Sequence, residues 1–149
     1  MIENKEVWEE GIKALEALHE RRRAAPRSRS DTLYWENMLE YFLRIRRAAE
    51  KGQSIIFHPL IVPVEIFRAF DLVSATSTFS CTNMSNFIRN QVETLNTSLA
   101  LGMPLETCSA HRIMLAHVAS GWFPKPNLVY DEGGGCDNGT YTVRIANEI

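Results

Sequence analysis

Two cysteines carry the strongest chemical signal in the chain. Cys108 closes Gly102-Met-Pro104-Leu-Glu-Thr-Cys108 ahead of a helical pattern, and Cys136 follows Gly133-Gly-Gly and leads into Asp137-Asn-Gly139. Each falls where a loop meets a regular element, which is where open α/β proteins hold cofactors. Unpaired amides and the dipole at a helix start favour a thiolate, so Cys108 is set up as a nucleophile or a metal ligand. The glycines before Cys136 allow backbone to approach a bulky group closely. The plainer alternative for both is a structural thiol.

Other residues compete for roles around this pair. Cys81, 27 positions before Cys108, is either a third ligand or a small buried hydrophobe. His111 and His117 raise the question of zinc, but no Cys-x-x-Cys knuckle accompanies them. A nucleophilic cysteine would need a histidine within hydrogen-bond reach, and His111 and His58 are the candidates. Glu65, just after Pro63 at a helix opening, is the candidate catalytic carboxylate; its alternative is to complement the helix dipole. His58 and Ser54 are expected near the same strand end, where they could hydrogen-bond a carbonyl, although a surface histidine is the commoner case. Arg21-Arg22-Arg23, with Arg27 and Arg29, reads as a solvated connector or as a phosphate clamp.

The elements that must position these residues follow from periodicity. Trp8, Ile12, Leu15 and Leu18 predict an amphipathic helix from Glu3 to about Arg23, and Pro26 breaks it. Asp31 is the expected N-cap of a second helix through Ala49, with Leu33, Met38, Tyr41, Phe42 and Ile45 on its apolar side and Lys51-Gly52 as its stop. Ser54 to Phe57 predicts a strand buried on both faces. Pro63 suits the first position of a short helix to Phe70, and Leu72 to Ala75 a second strand. A Ser/Thr-rich loop holding Cys81 should follow, then a helix from Ser85 to Leu101 stopped by Gly102 and Pro104. A further helix from Glu106 or Thr107 through about Ala119, and a buried strand at Asn127 to Tyr130, complete the pattern. The expected fold is α/β: a Rossmann-like parallel sheet flanked by helices, residues 52–149, behind an N-terminal helical hairpin, residues 1–51.

Composition narrows the function classes. The 149 residues are 45% hydrophobic, enough for a core of their own. Sixteen basic against 18 acidic side chains give a net charge of -2, which argues against a nucleic-acid partner. No secretory pattern opens the chain and no apolar run approaches the roughly 18 residues of a membrane span, so a cytoplasmic protein without a membrane partner is expected. An odd count of three cysteines points to reduced thiols rather than a disulfide framework. Trp8, Tyr34, Trp35 and Trp122 are candidates for an apolar interface or for the core.

Three stretches in order resemble the 2-hydroxyacyl-CoA dehydratase and benzoyl-CoA reductase family. They are Ile55-Ile-Phe57 with Val62-Pro63-Val-Glu65-Ile-Phe-Arg-Ala69, then Gly102-Met-Pro104 through Cys108-Ser109-Ala-His-Arg112, then Phe123-Pro-Lys-Pro126-Asn-Leu-Val-Tyr130 with Cys136-Asp137-Asn-Gly139. The resemblance implies an oxygen-sensitive 4Fe-4S cluster with Cys108 and Cys136 among its ligands, and Glu65 on a loop facing an acyl-CoA substrate. It also implies a companion subunit and an ATP-dependent activator that delivers one electron for transfer to the thioester. The family's third cluster cysteine lies in a second domain, so the chain is expected to be a truncated product or a detached N-terminal domain, inactive alone. Asp71, where the family usually has glycine, and Asn138, between Cys-Asp and Gly, depart from its pattern. The alternative is a non-catalytic α/β binding or assembly module that has lost the cluster.

Overall fold

The computed structural model describes residues 5–59, 62–131 and 136–148. Helix α1 (Lys5–Ala24) and helix α2 (Arg29–Lys51) form the expected hairpin. Trp8, Gly11, Ile12 and Leu15 lie three to four residues apart along one stripe of α1 and are all buried. Arg21, Arg22 and Arg23 belong to the last turn of α1 and not to a connector, because their charge complements the negative end of that helix. Arg22 lies 3.8 Å from Asp31 and 5.9 Å over the Trp35 ring. Helix α2 starts a turn before Asp31: the N-cap is Ser28, whose Oγ accepts the Asp31 backbone N–H at 3.1 Å. Asp31 instead reaches back past the cap and accepts the Arg27 N–H at 3.4 Å. Leu33, expected on the apolar side, is exposed. Gly52 stops the helix in the left-handed region (φ 69), its N–H bonding back to the Ala48 and Ala49 carbonyls.

Three parallel strands, β1 (Ile55–His58), β2 (Val73–Thr76) and β3 (Leu128–Val129), form a sheet in the order β2-β1-β3. All four residues of the central strand β1 are buried, as its uninterrupted apolar run requires. Strand β3 departs from the expected buried strand: it is two residues long, has a neighbour on one side only, and leaves Leu128 47% exposed. Asn127 fixes its register, donating its N–H to the Ile55 carbonyl (2.9 Å) and accepting the Ile55 N–H on Oδ1 (2.8 Å).

Helix α3 (Val64–Ala69) joins β1 to β2, with Pro63 as its N-cap, one position before the site expected for it. The passage from β2 to β3 uses α4 (Ser77–Ile88), α5 (Gln91–Ala100) and α6 (Ser109–Ala119); α7 (Asp137–Glu148) follows β3. Two expectations fail here. The Ser/Thr-rich stretch is helix α4, and the expected single helix from Ser85 to Leu101 is broken at Arg89, which takes a left-handed φ of 57. Hydroxyls reconcile polar composition with helix by bonding back along the chain, as Ser80 Oγ does to the Thr76 carbonyl at 2.6 Å.

Hairpin and sheet share one hydrophobic cluster. The Trp8 ring meets Phe42 at 6.0 Å and Phe123 at 4.9 Å, and Phe123 meets Phe57 of β1 at 5.1 Å. Truncating a fully buried tryptophan of this kind costs about 3–5 kcal/mol. Tyr41 ties α2 to the sheet edge: its hydroxyl accepts the Thr76 N–H at 2.8 Å and shares a 2.6 Å hydrogen bond with Ser80. Trp122 is also buried, and Trp35 is half-buried with Nε1 donating to Asp31 at 3.1 Å, so Tyr34 is the exposed member of the four candidate interface aromatics. No helix among the described residues is long and apolar enough to cross a membrane.

Candidate functional site

Parallel strands point their carboxyl ends to one rim, and the connections decide what gathers there. Helix α6 runs back toward the start of β3, so its N-terminus lies at the carboxyl rim; α7 leaves from that rim after β3. Cys108 is the N-cap of α6, and its carbonyl accepts the N–H groups of His111 and Arg112, both at 3.1 Å. Cys136 stands just before α7 in the same way, its carbonyl accepting the N–H groups of Gly139 (2.9 Å) and Thr140 (3.3 Å). Both thiols are exposed. The triple-glycine segment, Gly133 to Gly135, lies outside the described residues.

His111 links the two helix starts. It sits in the first turn of α6 after Cys108, and its Nε2 lies 3.4 Å from Cys136 Sγ. Gly139 leaves room for the ring: a Cβ there would stand 3.3 Å from His111 Cε1. Among the described residues His111 Nδ1 is buried without a hydrogen-bond partner, which leaves Nε2 as the atom engaged. Desolvation pulls the imidazole below its ordinary pKa, so at neutral pH it carries a lone pair. A neutral imidazole against a thiol can take the proton from sulfur or share a metal ion with it.

The remaining candidates sort differently. Glu65 lies in the first turn of α3, exposed, and among the described residues it makes no hydrogen bond or ion pair. Phe67 of the same helix packs against Tyr130 beyond β3, ring centroids 5.5 Å apart, which holds α3 near the rim. His58 is not a surface histidine: it is buried, with Nε2 2.6 Å from Ser74 Oγ and Nδ1 2.6 Å from the Pro59 carbonyl. Ser54 does not share its strand end, because β1 runs between them and at about 3.3 Å per residue separates them by roughly 13 Å. Cys81 is not a loop ligand. It lies within α4, fully buried in the core, and burial pushes its thiol pKa up. His117 points into the interior against Trp122, 5.5 Å between centroids, and takes no part in the rim.

Arg112 shows what the segment after Cys108 does structurally. It is buried, and its Nε donates to Ser98 Oγ while Nη2 donates to the Leu95 carbonyl, both at 3.0 Å. These bonds lock α6 to α5 and so fix where Cys108 and His111 stand. Sequence spacing marked His111 only by its distance from Cys108; its partnership with Cys136, 25 residues on, needed the packing of α7 on α6.

Searches of known proteins return no matching family model, no matching curated protein and no matching solved structure. The donor set therefore has to be judged on its own chemistry. Two exposed thiols and an imidazole are soft donors suited to iron or zinc. Among the described residues no three His, Cys, Asp or Glu side chains are already arranged to hold a metal ion. A four-iron cluster commonly takes four thiolates, so this set fits part of such a shell and needs donors from outside it.

Proposed function

We propose that this chain supplies part of the cluster site of an iron–sulfur 2-hydroxyacyl-CoA dehydratase or benzoyl-CoA reductase subunit, working with a companion subunit and an ATP-dependent activator in the cytoplasm. The observation that carries this reading is the arrival of two exposed cysteines, Cys108 and Cys136, at helix N-termini on one rim of a parallel sheet, with His111 of the first helix against Cys136. The strand order adds support. The central strand β1 has β2 on one side and β3 on the other, the 2-1-3 order of doubly wound sheets, which take their ligands outside the carboxyl ends of such strands.

In this reading Cys108 and Cys136 hold iron as thiolates. A bound cluster supplies one-electron transfer to an acyl-CoA thioester. Glu65, exposed in the first turn of the helix after β1, is the carboxylate offered to a substrate on this rim. Cys81 stays outside the chemistry because the core seals it.

The test is anaerobic reconstitution with iron and sulfide, read by iron and acid-labile sulfide content and by electron paramagnetic resonance, on wild type, Cys108→Ala, Cys136→Ala and Cys81→Ala. A cluster that survives Cys81→Ala and is lost or altered in the other two is the expected result. A wild-type protein that takes up no iron leaves the α/β binding or assembly module as the reading that stands.

A further inference from the structure

Cys136 and His111 bring a thiol sulfur and an imidazole nitrogen from two different helix starts into direct contact. A tetrahedral zinc-like ion binds sulfur at about 2.3 Å and imidazole nitrogen at about 2.0 Å, so two such donors on one ion stand about 3.5 Å apart. Cys136 Sγ and His111 Nε2 are separated by 3.4 Å. That separation is the length of a sulfur–nitrogen hydrogen bond and also of a tetrahedral edge, so a metal ion could replace the shared proton without the two atoms moving apart.

Two further features fit a donor role for His111. Its ring is held by the first turn of α6, so Nε2 is aimed by a regular element and not by a loop. Its neighbour across the interface is Gly139, and a side chain there would press on the ring edge that faces Cys136. Cys108, the N-cap of the helix that carries His111, is the nearest further thiol along the chain.

We propose that His111 is itself a metal donor, paired with Cys136 as a thiolate–imidazole edge for a thiophilic metal centre. The inference rests on the proposed function only in taking Cys136 as a metal ligand. It goes beyond it in assigning an imidazole to the first coordination shell. The shared chemistry is a soft-donor bite that a single divalent ion or one iron of a cluster can occupy.

The experiment has two arms on the full chain. In the first, anaerobic apoprotein is titrated with Co2+, an optical stand-in for zinc, in wild type, Cys136→Ser, His111→Phe and His111→Cys, with circular dichroism to show that each is folded. Wild type is expected to develop sulfur-to-cobalt charge-transfer absorption, and His111→Phe to bind at least about a hundredfold more weakly, because even an outer-shell change commonly costs tenfold to a hundredfold. His111→Cys, which returns a soft donor, should recover binding with an altered spectrum. In the second arm the same proteins are reconstituted with iron and sulfide and their paramagnetic resonance compared. If His111→Phe is folded and matches wild type in both arms, His111 is no donor and the inference is overturned while the two-thiolate reading stands. If wild type binds Co2+ in a His111-dependent way yet forms no cluster, the donor edge stands and the cluster reading falls. If wild type binds neither metal, both fall.

Discussion

Replacing His117 by leucine should remove a pH dependence of stability that burial has built into the fold. His117 is fully buried in α6, and among the described residues neither ring nitrogen has a hydrogen-bond partner. Desolvation pulls its pKa from the ordinary 6.5 down to about 4. The folded protein therefore keeps this imidazole neutral where the unfolded chain would protonate it. The stability owed to it is fully present above pH 6.5 and is lost as the pH falls through about 4. That interval corresponds to about 3 kcal/mol, a large part of the 5–15 kcal/mol typical of a domain. The assay is urea denaturation of wild type and His117→Leu at intervals between pH 7 and pH 4. At pH 7 the variant should be as stable as wild type or about 1 kcal/mol more so, because leucine leaves no polar atom unsatisfied. On acidification the wild type should lose about 3 kcal/mol relative to the variant. Taking the difference cancels slopes shared by both proteins, including that of His111. Parallel profiles for the two proteins would refute the reasoning, since His117 would then titrate alike in the folded and unfolded chains.

Three shorter predictions test the packing. Gly11→Ala places a methyl group against the Met84 sulfur, with Ile88 Cγ2 at 3.2 Å, where α1 packs on α4; it should destabilise by about 1–3 kcal/mol in thermal melts, against the usual gain of an alanine in a helix. Ser28→Ala removes the N-cap acceptor of α2 and should lower stability by about 1 kcal/mol in denaturant titration, with no effect on metal uptake at the rim. Titration of the native protein with a chromogenic disulfide reagent should label Cys108 and Cys136 promptly and Cys81 only after denaturation; fast labelling of Cys81 would contradict its core position.

Much of this molecule is written in local pattern. The three-to-four spacing of Trp8, Ile12 and Leu15, the buried run Ile55 to Phe57, and Gly52 and Gly121 at left-handed helix exits each follow from the physics of a few neighbouring residues. Cys108 before a helix was legible for the same reason. Local pattern failed where hydroxyls lie inside a helix: Ser80 and its neighbours read as loop because the carbonyls they bond to are a turn away in space. It failed again for β3, since whether an apolar pair is covered depends on how many strands lie beside it. Tertiary structure alone decided the partners of the reactive groups. It sealed Cys81 in the core, tied His58 to Ser74, and set His111 against Cys136. A sequence fixes which side chains point the same way over a turn or a strand; which sulfur meets which imidazole across 25 residues depends on the packing of two helices, α6 and α7.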